Sequence, residues 1–229
     1  MPSGLYGKLP AKRDFVAVGA SRGFLGAFEP WMQAGLSASR LALGRDWQAA
    51  FLRAPIWRFW LGAGLCGAPV LGAFMPSVDG IGRYFPLTLF DRAAADDPVA
   101  PPEYDAFDDW FGQAERVLLS ALAEETRFED LTEAAARLPG PAGAGPDPAE
   151  AGATRARDGT LIALAEAGAF ARVMAALRPI DRGRVHAGMS YWWTAGGEGF
   201  PPRAAACLGL PAPDLFAGML TGVFEGGAP

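Results

Sequence analysis

Histidine occurs once and cysteine twice in this chain of 229 residues, so the common ligand sets of a protein zinc site cannot be assembled from it. The single histidine, His186, precedes Ser190 in the chain, and Trp192 stands where a nucleophile elbow needs glycine. The serine, acid, histidine order of a hydrolase triad is therefore missing. Basic residues are also in short supply. Twenty Lys and Arg against 25 Asp and Glu give a net charge of −5, and no basic stripe appears of the kind that displaces counterions from nucleic acid. Lys8, Lys12 and Arg13 form a local patch only. No apolar run reaches the roughly 20 residues of a bilayer-crossing helix, which excludes membrane insertion by that route. The longest uncharged stretch, Phe59 to Met75, is interrupted by glycines and Pro69 and reads as two buried strands joined by a turn. The opening MPSGLYGKLPAKRDFV lacks the continuous apolar core of a secretory signal. Cys66 and Cys207 lie among small apolar residues, as reduced thiols of a cytoplasmic protein do, with one disulfide between them left open.

Apolar residues supply 51% of the chain, with 15 Phe and 7 Trp, and a chain of this size buries roughly 70% of its unfolded surface. A self-supporting core is expected. After a short N-terminal strand and an ordered loop, Phe24, Phe28, Trp31, Met32, Gly35 and Leu36 recur at helical spacing in a segment closed by Gly44. A shorter helix is expected from Asp46 to Leu52, with Asp46 as its cap. The runs WRFWLGAG, PVLGAFMPSV and GRYFPLTLF predict three consecutive, mainly antiparallel strands. A helix from Glu103 comes next, with Tyr104, Phe107, Phe111, Val117, Leu118 and Leu122 on one face and carboxylates near its start, and Phe128 to Leu138 is expected to extend the helical region. Residues 139–153, rich in Pro, Gly and Ala, read as a flexible insertion within one domain spanning 1–229. The tail offers either a strand then a helix or one helix from Gly159, a strand in RVHAGMSYWWT and a short closing helix at DLFAGMLTGVF. The fold class is α/β, with a largely antiparallel central sheet and helices on both faces.

Candidate chemistry is sparse. GAGLCG, with Gly62, Gly64 and Gly67, matches a dinucleotide fingerprint in letters, but the prolines around it favour a turn. Asp105, Asp108 and Asp109 form an acidic set that reads better as a solvated helix start than as a metal site. In PSVDGIGRYFPLTLF, Asp79 and Arg83 stand four residues apart across a glycine turn, where an ion pair fixes the backbone and Ser77 caps it through its hydroxyl. The functional alternative makes Arg83, flanked by Tyr84, an anion ligand. Trp192 and Trp193 are successive strand residues, so they point to opposite faces. Either both are buried or one indole is a partner anchor.

GLYGKLPAKRDFV, WMQAGLSASR, APIWRF, PSVDGIGRYFPLTLF, SYWWT and GLPAPDLFAGML occur in the order seen in TagF proteins, and on these motifs the chain resembles that type VI secretion system-associated family. The resemblance implies a three-layer α/β/α sandwich, no catalytic activity, no cofactor and a cytoplasmic location. It further implies post-translational repression of the secretion apparatus through a partner such as its forkhead-associated scaffold protein. Under that reading Lys8, Arg13, Asp14, Ser77, Asp79, Arg83, Tyr84, Trp192 and Trp193 are the candidate partner surface. The alternative is an unrecognised enzyme acting on a phosphorylated group near Arg83, for which the sequence offers no nucleophile, base and metal set.

Overall fold

The computed structural model describes residues 3–92, 99–123, 125–141, 153–157, 160–163, 173, 177 and 185–224. Its centre is a seven-stranded sheet in which every neighbouring pair is antiparallel. Strands β1 (Gly4–Gly7), β2 (Val16–Val18), β3 (Trp57–Leu61), β4 (Val70–Met75) and β5 (Leu87–Arg92) come from the first part of the chain. A small separate pair, β6 (Ala153–Arg155) and β7 (Leu161–Ala163), precedes β8 (Met189–Thr194) and β9 (Arg203–Leu208). The order across the large sheet is β2-β1-β5-β4-β3-β8-β9. The three expected strands β3, β4 and β5 are present, as is the SYWWT strand. The edge strands β2 and β9 lie outside the sequence expectation, because β2 has three residues and RAAACL in β9 has no large alternating side chains.

Alternation along each strand sorts side chains onto two cores. Trp57, Phe59, Phe74, Phe90 and Trp192 point to one side, where α1 (Arg22–Leu43), α2 (Trp47–Arg53) and α6 (Leu215–Thr221) cover the sheet. Trp60, Leu71, Met75, Leu87, Leu89 and Tyr191 point to the other, covered by α4 (Asp108–Ser120) and α5 (Phe128–Ala136). Helices on both faces of an antiparallel sheet make the expected sandwich.

α1 forms where the helical spacing placed it, and all six marked residues, from Phe24 to Leu36, are buried. Ser21, in extended conformation, accepts the amide of Phe24 at its hydroxyl (3.2 Å), and Gly44 ends the helix with a positive φ of 51°. Asp46 does not cap α2. It has helical backbone angles at the end of a 3-10 turn, Gly44–Asp46, and its side chain makes no capping bond.

The helix expected from Glu103 starts at Asp108 instead. The Asp105 carboxylate accepts the amide of Phe107 (2.8 Å), and Phe107 takes a left-handed φ of 51°, so the chain bends before the helix begins. The buried face is Trp110, Phe111, Ala114 and Leu118, while Tyr104 and Leu122 are exposed. α5 is a separate helix.

GAGLCG does open a helix, the single turn α3 (Ala63–Cys66), but Gly62 and Gly64 serve packing and Gly67 ends the turn with a φ of 81°. A Cβ on Gly62 or Gly64 would lie 2.3 and 2.8 Å from the carbonyl oxygen of Ala187, and the Gly64 amide donates to that oxygen at 2.8 Å. These glycines let the backbone around Ala187 approach closely.

Both cysteines are free thiols. The tail segment from Gly159 begins as strand β7, and most of the chain between β7 and β8 lies outside the described residues, as do residues 142–152 of the Pro/Gly/Ala stretch. No described helix is long and apolar enough to cross a membrane.

Candidate functional site

Between β4 and β5 the chain leaves the sheet, turns and returns, bridged at Val78 and Tyr84. Asp79 organises the turn. Its amide donates to the carbonyl of Arg83 (3.1 Å) and its carbonyl accepts the amide of Gly82 (2.9 Å), whose φ of 85° favours glycine. Its carboxylate takes four more bonds. Oδ1 accepts the amides of Ile81 (3.1 Å) and Arg83 (2.9 Å), and Oδ2 accepts Nε of Arg83 and Nζ of Lys8, both at 2.7 Å.

The Asp79 side chain is fully buried, Lys8 is nearly so, and Arg83 is half exposed. Burial by itself pushes the Asp79 carboxyl up. The Lys8 ammonium, the Arg83 amide and guanidinium and the Ile81 amide outweigh it and hold the group well below the usual carboxylate range. An ionised Asp79 is thus built into the fold at neutral pH.

The same turn is fastened to the loop after β1. Gly80 donates its amide to the Lys12 carbonyl (2.9 Å), and a Cβ at Gly80 would come within 3.0 Å of the Pro10 carbonyl. Arg83 Nη2 donates to the Arg13 carbonyl. The Lys8 ammonium also sits 5.0 Å from the centre of the Phe15 ring. Two segments some seventy positions apart become one end of the molecule.

Of the nine residues singled out, Lys8, Arg13, Asp14, Ser77, Asp79, Arg83 and Tyr84 come together here. The Asp79 to Arg83 pair is present. Lys8 is a correction: the surface patch expected at the N-terminus loses it to the buried pair with Asp79. Ser77 is another. Its hydroxyl is buried with no hydrogen-bond partner among the described residues, and its carbonyl holds the turn by accepting the amide of Phe85 (3.1 Å). Phe85 does not share a face with Leu87 and Leu89. Pro86 intervenes before β5 begins, and Phe85 packs with Tyr6 and Phe15 on the α1 side. Arg13, Asp14, Phe15 and Ile81 form the exposed outside.

Trp192 and Trp193 lie elsewhere. Trp192 is buried against Trp31 (ring centres 4.4 Å apart) and donates to Ser190 Oγ at 2.9 Å. Trp193 packs edge-on against Phe111 on the opposite face. Ser190 is itself committed, donating to the Gly209 carbonyl at 2.6 Å. His186 Nδ1 lies 2.7 Å from the Tyr191 hydroxyl, which donates to Glu103 at 2.7 Å. Asp105 is spent on the Phe107 amide, and Asp108 pairs with Arg58 at 2.9 Å. Among the described residues no group of three or more His, Cys, Asp or Glu could hold a metal.

What sequence reasoning missed is on α1 and α2. Tyr84 stands edge-on to Trp47 and Phe51, with ring centres 5.7 and 5.8 Å away, and Arg40 lies over the Trp47 ring at 4.3 Å. The only available signal was Arg40 on the polar side of the α1 pattern.

These features define a class: an antiparallel α/β sandwich whose signature turn is clamped around a buried aspartate. The chain belongs to the TagF N-terminal domain family, type VI secretion system-associated, whose model matches residues 4–138, from β1 through α5. It is also similar to PA0076 from Pseudomonas aeruginosa PAO1, seen in a crystal structure at 2.05 Å, with a TM-score of 0.76 and 32% identity over 99% of this chain and 100% of that one. No curated protein matches.

Proposed function

We propose that this chain is a non-enzymatic, post-translational repressor of type VI secretion, acting in the cytoplasm by binding a component of the apparatus. The forkhead-associated scaffold protein is the partner we favour. One observation carries the reading: the buried charges of the family's signature turn are consumed in holding two loops together. Asp79 spends both oxygens on Lys8, Arg83 and two amides. A turn so fastened presents a fixed outer surface of Arg13, Phe15, Ile81 and the exposed half of Arg83, which suits recognition without an ordering cost. Turnover of a phosphorylated group at Arg83 has less support, since that guanidinium is already shared between Asp79 and the Arg13 carbonyl.

Titration calorimetry of the purified protein against the scaffold protein of the same organism, phosphorylated and unphosphorylated, tests the proposal. Saturable binding to either form is expected. Heat of mixing indistinguishable from dilution for both forms would remove the scaffold as target.

A further inference from the structure

Beside the signature turn an elongated cleft runs between the second half of α1 and residues 83–85. It consists of two adjoining hollows of about 560 and 450 Å³, both lined by Arg40 and Tyr84. Along α1 it traces one helical stripe from Gln33 through Ser37 and Arg40 to Gly44. At 1.5 Å per residue that stripe is about 16 Å long, the span of about five residues of extended chain. A single small anion would leave most of it empty.

The charge of the walls has one sign. Arg40, Arg45, Arg83 and Lys8 line the cleft, and among the described residues no carboxylate does. Lys8 and Arg83 share the charge of Asp79. Arg40 and Arg45 form no salt bridge among the described residues, and the contact found for Arg40 is its stacking on Trp47. Glu29, one turn before Gln33, is engaged by the Gln33 amide at 3.1 Å and lies outside the lining. The C-terminal pole of α1 contributes roughly half a negative charge, which the two guanidinium groups of Arg40 and Arg45 exceed several-fold. Apolar footholds adjoin the cations, with Leu41 85% and Phe15 50% exposed.

We propose that this cleft docks an acidic, partly apolar segment of a partner protein. The segment lies extended along α1, with carboxylates on Arg40, Arg45 and the outer half of Arg83 and an apolar side chain against Leu41 and Phe15. The inference rests on the reading of the chain as a binding protein and specifies the chemistry that its partner must present.

Fluorescence anisotropy of the full chain with a labelled peptide of alternating Glu and Leu, about eight residues long so as to overrun the cleft, gives the test. Saturable binding is expected, weakening with added salt, and absent for the same peptide with Gln in place of Glu. Arg40→Glu and Arg45→Glu should each weaken it by about tenfold or more, while Arg137→Glu just beyond α5 leaves it unchanged. Arg45 is exposed and belongs to no core cluster, so its variant reads charge even where Arg40→Glu disturbs the packing on Trp47. Absence of saturable binding, or binding indifferent to both α1-side variants, overturns the proposal. Displacement of the peptide by inorganic phosphate at equal concentration overturns it in favour of a simple phosphate site. Success with the scaffold protein and failure with the peptide would remove the cleft and keep the binding reading, and the reverse result would remove the scaffold.

Discussion

The two faces of the central sheet are filled by different chemistry. On the α1 side the core is a continuous lattice of rings: Phe24, Phe28, Phe59, Trp192, Trp31 and Phe216 lie with successive centres 4.4 to 5.7 Å apart. The α4 side is chiefly aliphatic, with Leu5, Leu71, Leu87, Leu89, Leu118 and Leu131 around a few aromatics. Rings have few rotamers and their indoles must find acceptors, so an aromatic face is specified more tightly than an aliphatic one. The indoles bear this out. Trp31, Trp47, Trp57 and Trp192 on the first face each donate at 2.9 Å, to the Pro211 carbonyl, Ser39, the Met219 carbonyl and Ser190. On the second face Trp60 donates to the Val99 carbonyl at 3.2 Å, and Trp110 Nε1 is buried without a partner among the described residues. The rigid face is also the one that carries the cleft, through Tyr84, Trp47 and α1.

Removing a ring from the lattice should therefore have the largest effect. Trp192→Ala is expected to cost about 3–5 kcal/mol, the range for emptying a large buried aromatic, read as a lower urea midpoint. A loss below about 1 kcal/mol would mean that the rings slide to refill the gap and that the face is less fixed than its geometry implies.

The indole contrast sharpens the same comparison. Both Trp57→Phe and Trp110→Phe remove ring volume, but only the first strands a bonded acceptor and only the second removes an unpartnered buried donor. Trp57→Phe should be the more costly by about 1–2 kcal/mol. Equal losses would show that Trp110 finds a hydrogen bond in solution.

The clamp at the end of the sheet should give a smaller, pH-dependent signal, since Arg83 is half in water and screened. The Asp79 carboxyl is depressed in the folded state. Its stabilisation is complete above the unfolded value of about 4 and is lost as pH falls toward the lower folded value. Urea midpoints measured downward from about pH 6 should fall on the acid side of about pH 4 in the native sequence, and less steeply in Asp79→Asn. Parallel acid limbs in the two proteins would show that the pair with Lys8 opens in solution.

Most of the sheet and the aromatic face could be read from sequence because their signals are local. Phe24 to Leu36 recur at helical spacing, and Phe59, Phe74 and Trp192 lie in short runs between turn residues. The turn at Asp79 and Arg83 was legible for the same reason, as the partners are four positions apart. Lys8 was not, because its counter-ion is supplied by a segment far along the chain, and a lysine near Lys12 and Arg13 looks like part of a surface patch. Ser77 misled in another way: its hydroxyl carried a local expectation, whereas it is the Ser77 carbonyl that holds the turn, by accepting the amide of Phe85. The cleft was invisible because a helix stripe and a strand turn make it only once α1 has folded over the sheet.

Thiol chemistry offers the mildest probe of the two environments. Cys66 is buried beside the ring lattice, and that burial pushes its thiol up to about 12, so thiolate is scarce at about pH 8. Cys207 lies half-exposed on edge strand β9, 3.3 Å from the Ser190 hydroxyl. In the folded protein iodoacetamide should modify Cys207 first and reach Cys66 at the rate of unfolding. Mild denaturant should then accelerate Cys66 and barely affect Cys207. Were Cys66 to react as fast as Cys207 without denaturant, the α3 end of the aromatic face would have to open on its own, and the rigidity ascribed to that face would hold only for the rings between α1 and the middle of the sheet.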